Sequence, residues 1–283
     1  MNARTTHDAP VFSHFRALPC TPAIGLEIEG LDLASPIGEA AAEELRLALA
    51  HHDVLVFRRQ TLDAARHVAV AQVFGNPSRE KTYFPASREH PLIELVESRP
   101  GGPRYTTDQW HNDTSYLADP PAGAVLVARE LPAAGGDTLW ASARKAYRAL
   151  PAQLAAWVET LSAQHAIDHS GWPEIIRAKG EDAYREARAR HMPATHPVVR
   201  AHPVTGEKFL FVNPKYTERI NGLTRAESDA VLALLFGLFE RPEQQMRLRW
   251  EPGTVVVWNN HTTTHYAVPD YHPAYRLLHR VTF

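Results

Sequence analysis

Trp110-His111-Asn112-Asp113-Thr114 sets an imidazole and a carboxylate two residues apart, with Tyr105 and Tyr116 close by. In an extended strand, residues i and i+2 face the same side. His111 and Asp113 can therefore reach one point from one strand end, with Asn112 facing away. A neutral imidazole nitrogen and a carboxylate oxygen make up two-thirds of the facial triad that holds non-haem Fe(II) and leaves coordination positions open. A His-x-Asp alone arises often by chance. Its meaning depends on a third ligand and on a use for the metal.

Working outward, the chain has 283 residues, enough for one large domain with a sizeable core. Hydrophobic residues make up 44% and charged residues 22%, the ordinary globular range. A net charge of -2 provides no field for a polyanion, so nucleic acid is not an expected partner. No apolar run approaches the ~18 residues that span a bilayer, so no membrane partner is expected either. Met1 to Ala9 is polar and does not read as a signal peptide. The single cysteine, Cys20, excludes an internal disulfide framework and suits a cytoplasmic location. Any metal must be held by His and carboxylate.

Residues 1–19 read as a flexible N-terminal arm, and residues 20–283 as a single domain. Ile24 to Leu33 alternates like a half-buried strand. Helices are expected from Glu39 to His51 and from Leu62 to Phe74, on either side of a buried strand, Val54 to Phe57. Pro77 to Tyr105 is irregular around one strand, Leu92 to Val96, and part of it reads as a loop over the site. A further strand is expected at Ala122 to Ala128, and Gly135-Gly136 marks a turn before Asp137 to Trp140. Ser142 to Gln164 reads as helical, broken before Pro151. Residues 165–195 read as a charged insertion without a strand. Val198 to Arg200, Phe209 to Val212, Met246 to Trp250, Thr254 to Trp258 and Tyr275 to Phe283 complete the strands. Thr224 is the expected N-cap of a helix running to Glu240. Strands with a few inserted helices imply an α+β fold with an antiparallel barrel or jelly-roll core.

Two histidines, His261 and His265, compete to be the third ligand. Their spacing would suit a helix, but Thr262-Thr263-Thr264 between them argues against one, and no Glu is present to act as a base. On a strand and turn only one can enter the site, and the residues alone do not choose. Arg276 and Arg280 share one face of the last strand, among Leu277, Leu278, Val281 and Phe283. A buried guanidinium must be paired, and its planar fork matches a carboxylate. Two structural salt bridges would satisfy that need; so would an organic diacid and an anionic substrate.

Several stretches together carry a resemblance. Trp110-His111-x-Asp113, Pro120-Pro121-Ala122-Gly123, Gly135-Gly136-Asp137-Thr138-Leu139-Trp140, His196-Pro197-Val198-Val199-Arg200, Phe211-Val212-Asn213, Trp258-x-Asn260, His265-Tyr266-Ala267 and Arg276-x-x-x-Arg280 occur in a matching order and spacing. From Ile24 to Phe283 the chain resembles the taurine/2,4-dichlorophenoxyacetate dioxygenase family of Fe(II)- and 2-oxoglutarate-dependent oxygenases. The resemblance implies a double-stranded β-helix (jelly-roll) core with inserted and flanking helices. It implies Fe(II), 2-oxoglutarate and O2 as cofactor and cosubstrates, and hydroxylation of a small anionic organic substrate coupled to conversion of 2-oxoglutarate to succinate and CO2. It selects His265 over His261 as the ligand beside His111 and Asp113. Thr138 and Arg276 match the clamp on the far carboxylate of 2-oxoglutarate, and Trp258 an aromatic beside it. Arg280 matches the anchor of the substrate's anion. Tyr83, Thr107 and Tyr216 match substrate-contacting positions. Assembly as a homodimer or homotetramer is expected.

One departure stands out. Glu80 occupies the position where the taurine enzyme places a His against the sulfonate. A carboxylate there would repel an anion, unless Glu80 faces solvent beside Arg79 or Lys81, or meets a cationic group of a zwitterionic substrate. Taurine is therefore not expected to be the best substrate, and a sulfonate, sulfate ester, aryloxyalkanoate or amino-acid-like acid remains open. Taurine oxidation proper is the nearest alternative. A non-catalytic 2-oxoglutarate or metal sensor, or a zinc hydrolase, are alternatives of other classes.

Overall fold

The computed structural model describes residues 11–78, 84–102, 107–178 and 180–283. Seven strands form the larger sheet, in the spatial order Arg16–Pro19, Leu26–Glu29, Val54–Phe57, Val255–Asn259, Gly123–Glu130, Arg276–Thr282 and Glu94–Ser98. All neighbours are antiparallel except Leu26–Glu29 beside Val54–Phe57. Facing it is a three-stranded sheet, Gln245–Leu248, Thr138–Ser142 and Thr263–Ala267. This is the jelly-roll core.

The apolar strands of the large sheet are continuous because both faces are covered. Leu55, Phe57, Val125, Val127, Val255 and Val257 point outward and pack under the helices Glu39–His52 and Ala64–Phe74, through Leu45, Leu49, Val68 and Val70. Their odd-even partners Val54, Val56, Leu126, Val256 and Trp258 point inward and meet Trp140, Met246 and Leu248 of the small sheet. The same parity puts Arg276 and Arg280 inward with Leu278 on the last strand. It also puts Thr138 inward with Trp140. Leu139 and Ala141 face the other way, toward the helix Arg225–Phe239. That helix starts at the expected N-cap, Thr224, which also forms a full capping box with Glu227.

The remaining elements shape one end of the roll. Ser162–His165 pairs with both Ala194–Pro197 and Thr217–Ile220. Here the sequence reading is corrected. The helical pattern after Ser142 gives two short helices, Ala143–Arg148 and Ala152–Val158, split at Pro151, but Ser162–His165 is a strand. Its polar side chains hide it: Ala163 joins the apolar cluster, but beside it on the same face His165 packs on Phe211 and His196. Residues 165–195 carry the helices Trp172–Arg177 and Glu181–Arg190. Residues 16–19, read as part of a loose arm, instead form a sheet edge, and Phe15 is buried beneath them.

A buried ion pair ties these layers to the site. Asp53 ends the helix Glu39–His52 with φ 68°, and its carboxylate accepts from Arg144 Nη2 at 2.5 Å and from Thr262 Oγ1 at 2.5 Å. Arg144 Nη1 also donates to the Ala50 carbonyl at 2.8 Å. The Asp53 carbonyl accepts from the Asn259 N–H at 2.8 Å. The turn that leads into His265 is thus fastened to the helix layer. Removing one member of a buried pair leaves an uncompensated charge, so Arg144→Ala should lower the unfolding free energy by about 3–5 kcal/mol in denaturant titration.

Two core histidines set an acid limit. His67 Nε2 donates to the Val125 carbonyl at 3.0 Å, and burial pushes its pKa down to about 3. Burial, aided by the neighbouring His196, does the same to His165, also to about 3. An unfolded histidine titrates near pH ~6.5. Below that pH the unfolded chain binds protons that the folded chain refuses, so stability is intact above ~6.5 and falls as pH drops. Between pH 7 and pH 5, His67→Gln should reduce that loss of unfolding free energy by about 2 kcal/mol relative to the parent.

Candidate metal and 2-oxoglutarate centre

His111 is fastened opposite His265 by a two-way antiparallel bridge: His111 N–H to the His265 carbonyl at 3.0 Å, and His265 N–H to the His111 carbonyl at 2.8 Å. His265 in turn sits opposite Trp140 in the small sheet. The chain turns immediately after His111, and Asn260 locks that turn. Its Oδ1 accepts from Asp113 N–H at 2.7 Å, and its Nδ2 donates to the Asp113 carbonyl at 3.0 Å. Asn112 faces away from the site, as the i, i+2 rule requires. Its Nδ2 donates to the Asn260 and Thr263 carbonyls, each at 2.6 Å. Asn213 Nδ2 reaches Asn112 Oδ1 at 3.3 Å and Ser115 Oγ at 2.9 Å.

The result is one compact donor set. The Nε2 atoms of His111 and His265 each lie 3.8 Å from the same oxygen, Asp113 Oδ1. One ligand atom from each of the three residues lies within 4.8 Å of the others, and all three residues are buried. His111 Nδ1 donates to the Gln109 carbonyl at 2.7 Å, which leaves its Nε2 lone pair turned inward. Burial, with His265 beside it, holds the pKa of His111 well below the usual value. Burial also lowers that of His265, to about 4 against the pull of Asp113. Both rings are therefore neutral at physiological pH, the form that donates to a metal. Burial alone would raise Asp113, but Arg280 outweighs it and keeps the carboxyl below its usual range. Arg280 Nη1 donates to Asp113 Oδ2 at 2.8 Å. One carboxylate oxygen thus faces the imidazoles while the other is occupied, which suits single-oxygen ligation. The donor set, its burial and its protonation all fit a divalent transition metal.

His261 takes no part. It packs against Phe211 and donates to the Pro120 carbonyl at 3.3 Å.

A cavity of about 390 Å³ adjoins the triad. Thr138, Trp258, Arg276, Arg280, Thr107 and Tyr216 all line it. Glu80 and Tyr83 lie outside the described residues. Arg276 is 4% exposed, and among the described residues no carboxylate forms an ion pair with it. Its Nη2 donates to the Gly136 carbonyl at 3.0 Å, and its Nε is buried without a hydrogen-bond partner. Gly136 has φ +73°, and a Cβ there would come within 3.1 Å of Arg276 Nε, so glycine is required beside the guanidinium. The Thr138 hydroxyl, which accepts from Trp250 Nε1 at 3.0 Å, completes this end. Within the chain, Tyr271 and the charge of Asp137 act on this guanidinium, but no carboxylate among the described residues pairs with it directly, so a buried guanidinium in this cavity wall suits an anion from outside the chain.

Arg280 differs from Arg276. Besides Asp113, it is held by Glu94: Nε donates to Glu94 Oε2 at 2.7 Å and Nη2 lies 2.5 Å from the same oxygen. Glu94 is 1% exposed. These two acids keep Arg280 charged despite burial, and its Cζ sits 4.9 Å from the Phe84 ring centroid. Aromatic walls complete the space: Tyr216 lies edge-on to His111 and Tyr116, and its hydroxyl accepts from Trp172 Nε1 at 3.1 Å.

Two contributors escape a sequence reading, Glu94 and Lys215, while Asn213 and Asn260 were quoted within motifs without a role. Glu94 had one signal, a lone acid between Ile93 and Leu95. Lys215 had less, as lysines are ordinarily solvated. It is nonetheless 2% exposed and lines the cavity. Burial lowers its pKa to about 8, with Asp113 and Asp108 opposing, so it stays mainly protonated at neutral pH.

This arrangement can be set beside known proteins. The chain is 34% identical over 268 residues to an alpha-ketoglutarate-dependent sulfate ester dioxygenase of Pseudomonas putida, covering 93% of this chain and 87% of that protein. It is 32% identical over 266 residues to an alkylsulfatase of Acinetobacter baylyi, covering 93% and 82%. The crystal structure of a taurine dioxygenase from Burkholderia xenovorans superposes with a TM-score of 0.81 at 31% identity, over 96% of this chain and 89% of that one. Residues 16–282 match the family described as taurine catabolism dioxygenase TauD, TfdA family. With the jelly roll, the buried triad and this match across nearly its full length, the chain belongs to the TauD/TfdA family of alpha-ketoglutarate-dependent dioxygenases.

Proposed function

We propose that the chain binds Fe(II) through His111, Asp113 and His265 and hydroxylates a small organic acid with 2-oxoglutarate and O2 as cosubstrates. The observation that carries this reading is Arg276: a buried guanidinium with no directly paired carboxylate among the described residues, in the wall of the cavity that the triad adjoins. Arg276 and Thr138 would hold the far carboxylate of 2-oxoglutarate, with Trp258 beside it. Held by His111, Asp113 and His265, Fe(II) would activate O2 and so couple conversion of 2-oxoglutarate to succinate and CO2 with hydroxylation of a substrate C–H bond. The chain's own residues do the placing. Arg280 holds the second oxygen of Asp113, Asn260 fixes the turn that carries it, and Phe84, Tyr116, Trp172 and Tyr216 exclude water from the substrate's side.

The substrate is a small anion with an apolar body. The names of the two relatives favour a sulfate ester or sulfonate, and the aromatic walls suit an alkyl or aryl chain. A carbon that bears a sulfate or sulfonate group becomes unstable once hydroxylated. The adduct expels the sulfur oxyanion and leaves an aldehyde.

The protein mixed anaerobically with Fe(II) and 2-oxoglutarate should show a weak visible charge-transfer band. Under air it should form succinate above its substrate-free level with members of a panel of alkyl sulfates, sulfonates, aryloxyalkanoates and amino acids; no stimulation anywhere in the panel would sink the reading. His265→Ala should abolish both the band and turnover, while His261→Ala should leave the band intact; the reverse pattern would reassign the ligand. Arg276→Met should raise the concentration of 2-oxoglutarate needed for the band by about 10- to 100-fold, the loss of one charged hydrogen-bonded contact.

A further inference from the structure

Arg280 serves two acids in different ways. Glu94 stands directly opposite it in the sheet, so the two side chains leave neighbouring strands on the same face. A single oxygen, Glu94 Oε2, accepts from Nε at 2.7 Å and lies 2.5 Å from Nη2. These two donors form a fork, the edge with which a guanidinium grips a carboxylate. Asp113 receives what is left: Nη1 alone donates to its Oδ2, at 2.8 Å. The Phe84 ring, 4.9 Å from Cζ, lies against the guanidinium and limits its rotation.

This division matters because of which oxygen it spares. Asp113 Oδ1 is the atom that lies 3.8 Å from the Nε2 of His111 and 3.8 Å from that of His265. A guanidinium whose fork is free takes both oxygens of a neighbouring carboxylate. On Asp113 that grip would engage Oδ1 and remove one of the three donors from the set. Glu94 is 1% exposed, on a strand where its neighbours Ile93 and Leu95 are apolar. Apolar residues in place of the Glu94–Arg280 pair would serve the sheet as well, so stability does not account for a buried acid there.

We infer that Glu94 is a positioning residue for the metal site: by occupying the fork of Arg280, it limits that arginine to one donor on Asp113 and keeps Asp113 Oδ1 free for the ion. The inference rests on the reading of His111, Asp113 and His265 as metal ligands.

The test is calorimetric titration of Mn(II) into the full chain, at a temperature where circular dichroism shows each variant folded. Glu94→Leu should weaken Mn(II) about 10- to 100-fold, the usual cost of losing a group that orients a metal ligand. Glu94→Gln keeps an oxygen for the fork without the charge, and should bind Mn(II) more tightly than Glu94→Leu does. In an Arg280→Met protein there is no fork to restrain, so adding Glu94→Leu should cause no further loss. That double variant removes both buried charges together, which keeps the comparison available if Glu94→Leu alone does not fold. An unaltered Mn(II) affinity in Glu94→Leu overturns the inference. So does a Gln variant no tighter than the Leu variant, or a further loss in the Arg280→Met background; either would make the effect one of charge through space. If the parent protein binds no Mn(II), it is the reading of the triad as a metal site that fails.

Discussion

Everything at the centre of this protein hangs on a pair of reciprocal backbone hydrogen bonds between His111 and His265. The two residues come from distant parts of the chain, and the bridge sets their rings 4.1 Å apart, centroid to centroid. Neither imidazole could keep that position on its own segment. One lies at the end of an irregular stretch and the other in a strand of only five residues, Thr263–Ala267. The large sheet, the Asp53–Arg144 pair and the asparagine set all stiffen what flanks the bridge. The barrel is thus a device for holding two short pieces of backbone in register.

Around the bridge lies an unusual density of buried charge. Arg276, Arg280, Glu94, Asp113 and Lys215 are all nearly inaccessible. Their solutions differ. Arg280 is neutralised within the chain by two carboxylates, whereas Arg276 has a carbonyl and aromatic faces but no directly paired carboxylate among the described residues. The second arrangement, with Tyr271 and the charge of Asp137 as its partners within the chain, is one that a bound anion would complete. The contrast between two arginines one strand-turn apart separates an internal strut from a docking group more clearly than burial alone.

Much of this was legible beforehand, for physical reasons. Val54 to Phe57 and Thr254 to Trp258 had to be buried strands, being short, β-branched and free of polar breaks. The four-residue spacing of Arg276 and Arg280 fixed their common face before any coordinates. Thr224 was legible as the N-cap of its helix. The choice of His265 over His261 rested on resemblance, and only tertiary placement shows His261 turned toward Phe211. What stayed hidden was whatever depended on long-range pairing. The strands Ser162–His165 and Thr217–Ile220 are mostly polar; each gives the apolar cluster a single small or aliphatic residue, Ala163 and Ile220. Glu94 becomes intelligible only once Arg280 is known to lie opposite it in the sheet.

The rigidity of the bridge has a cost in metal selectivity. The ligand positions are set by bonds within the chain: the reciprocal His111–His265 backbone pair and the Asn260 side chain on Asp113. Two nitrogens and one oxygen in a fixed arrangement cannot by themselves refuse copper or zinc, which such donors hold more tightly than ferrous iron. Which ion occupies the site is therefore governed by the supply of metals around the protein, and the wrong one would sit in an undistorted, silent enzyme.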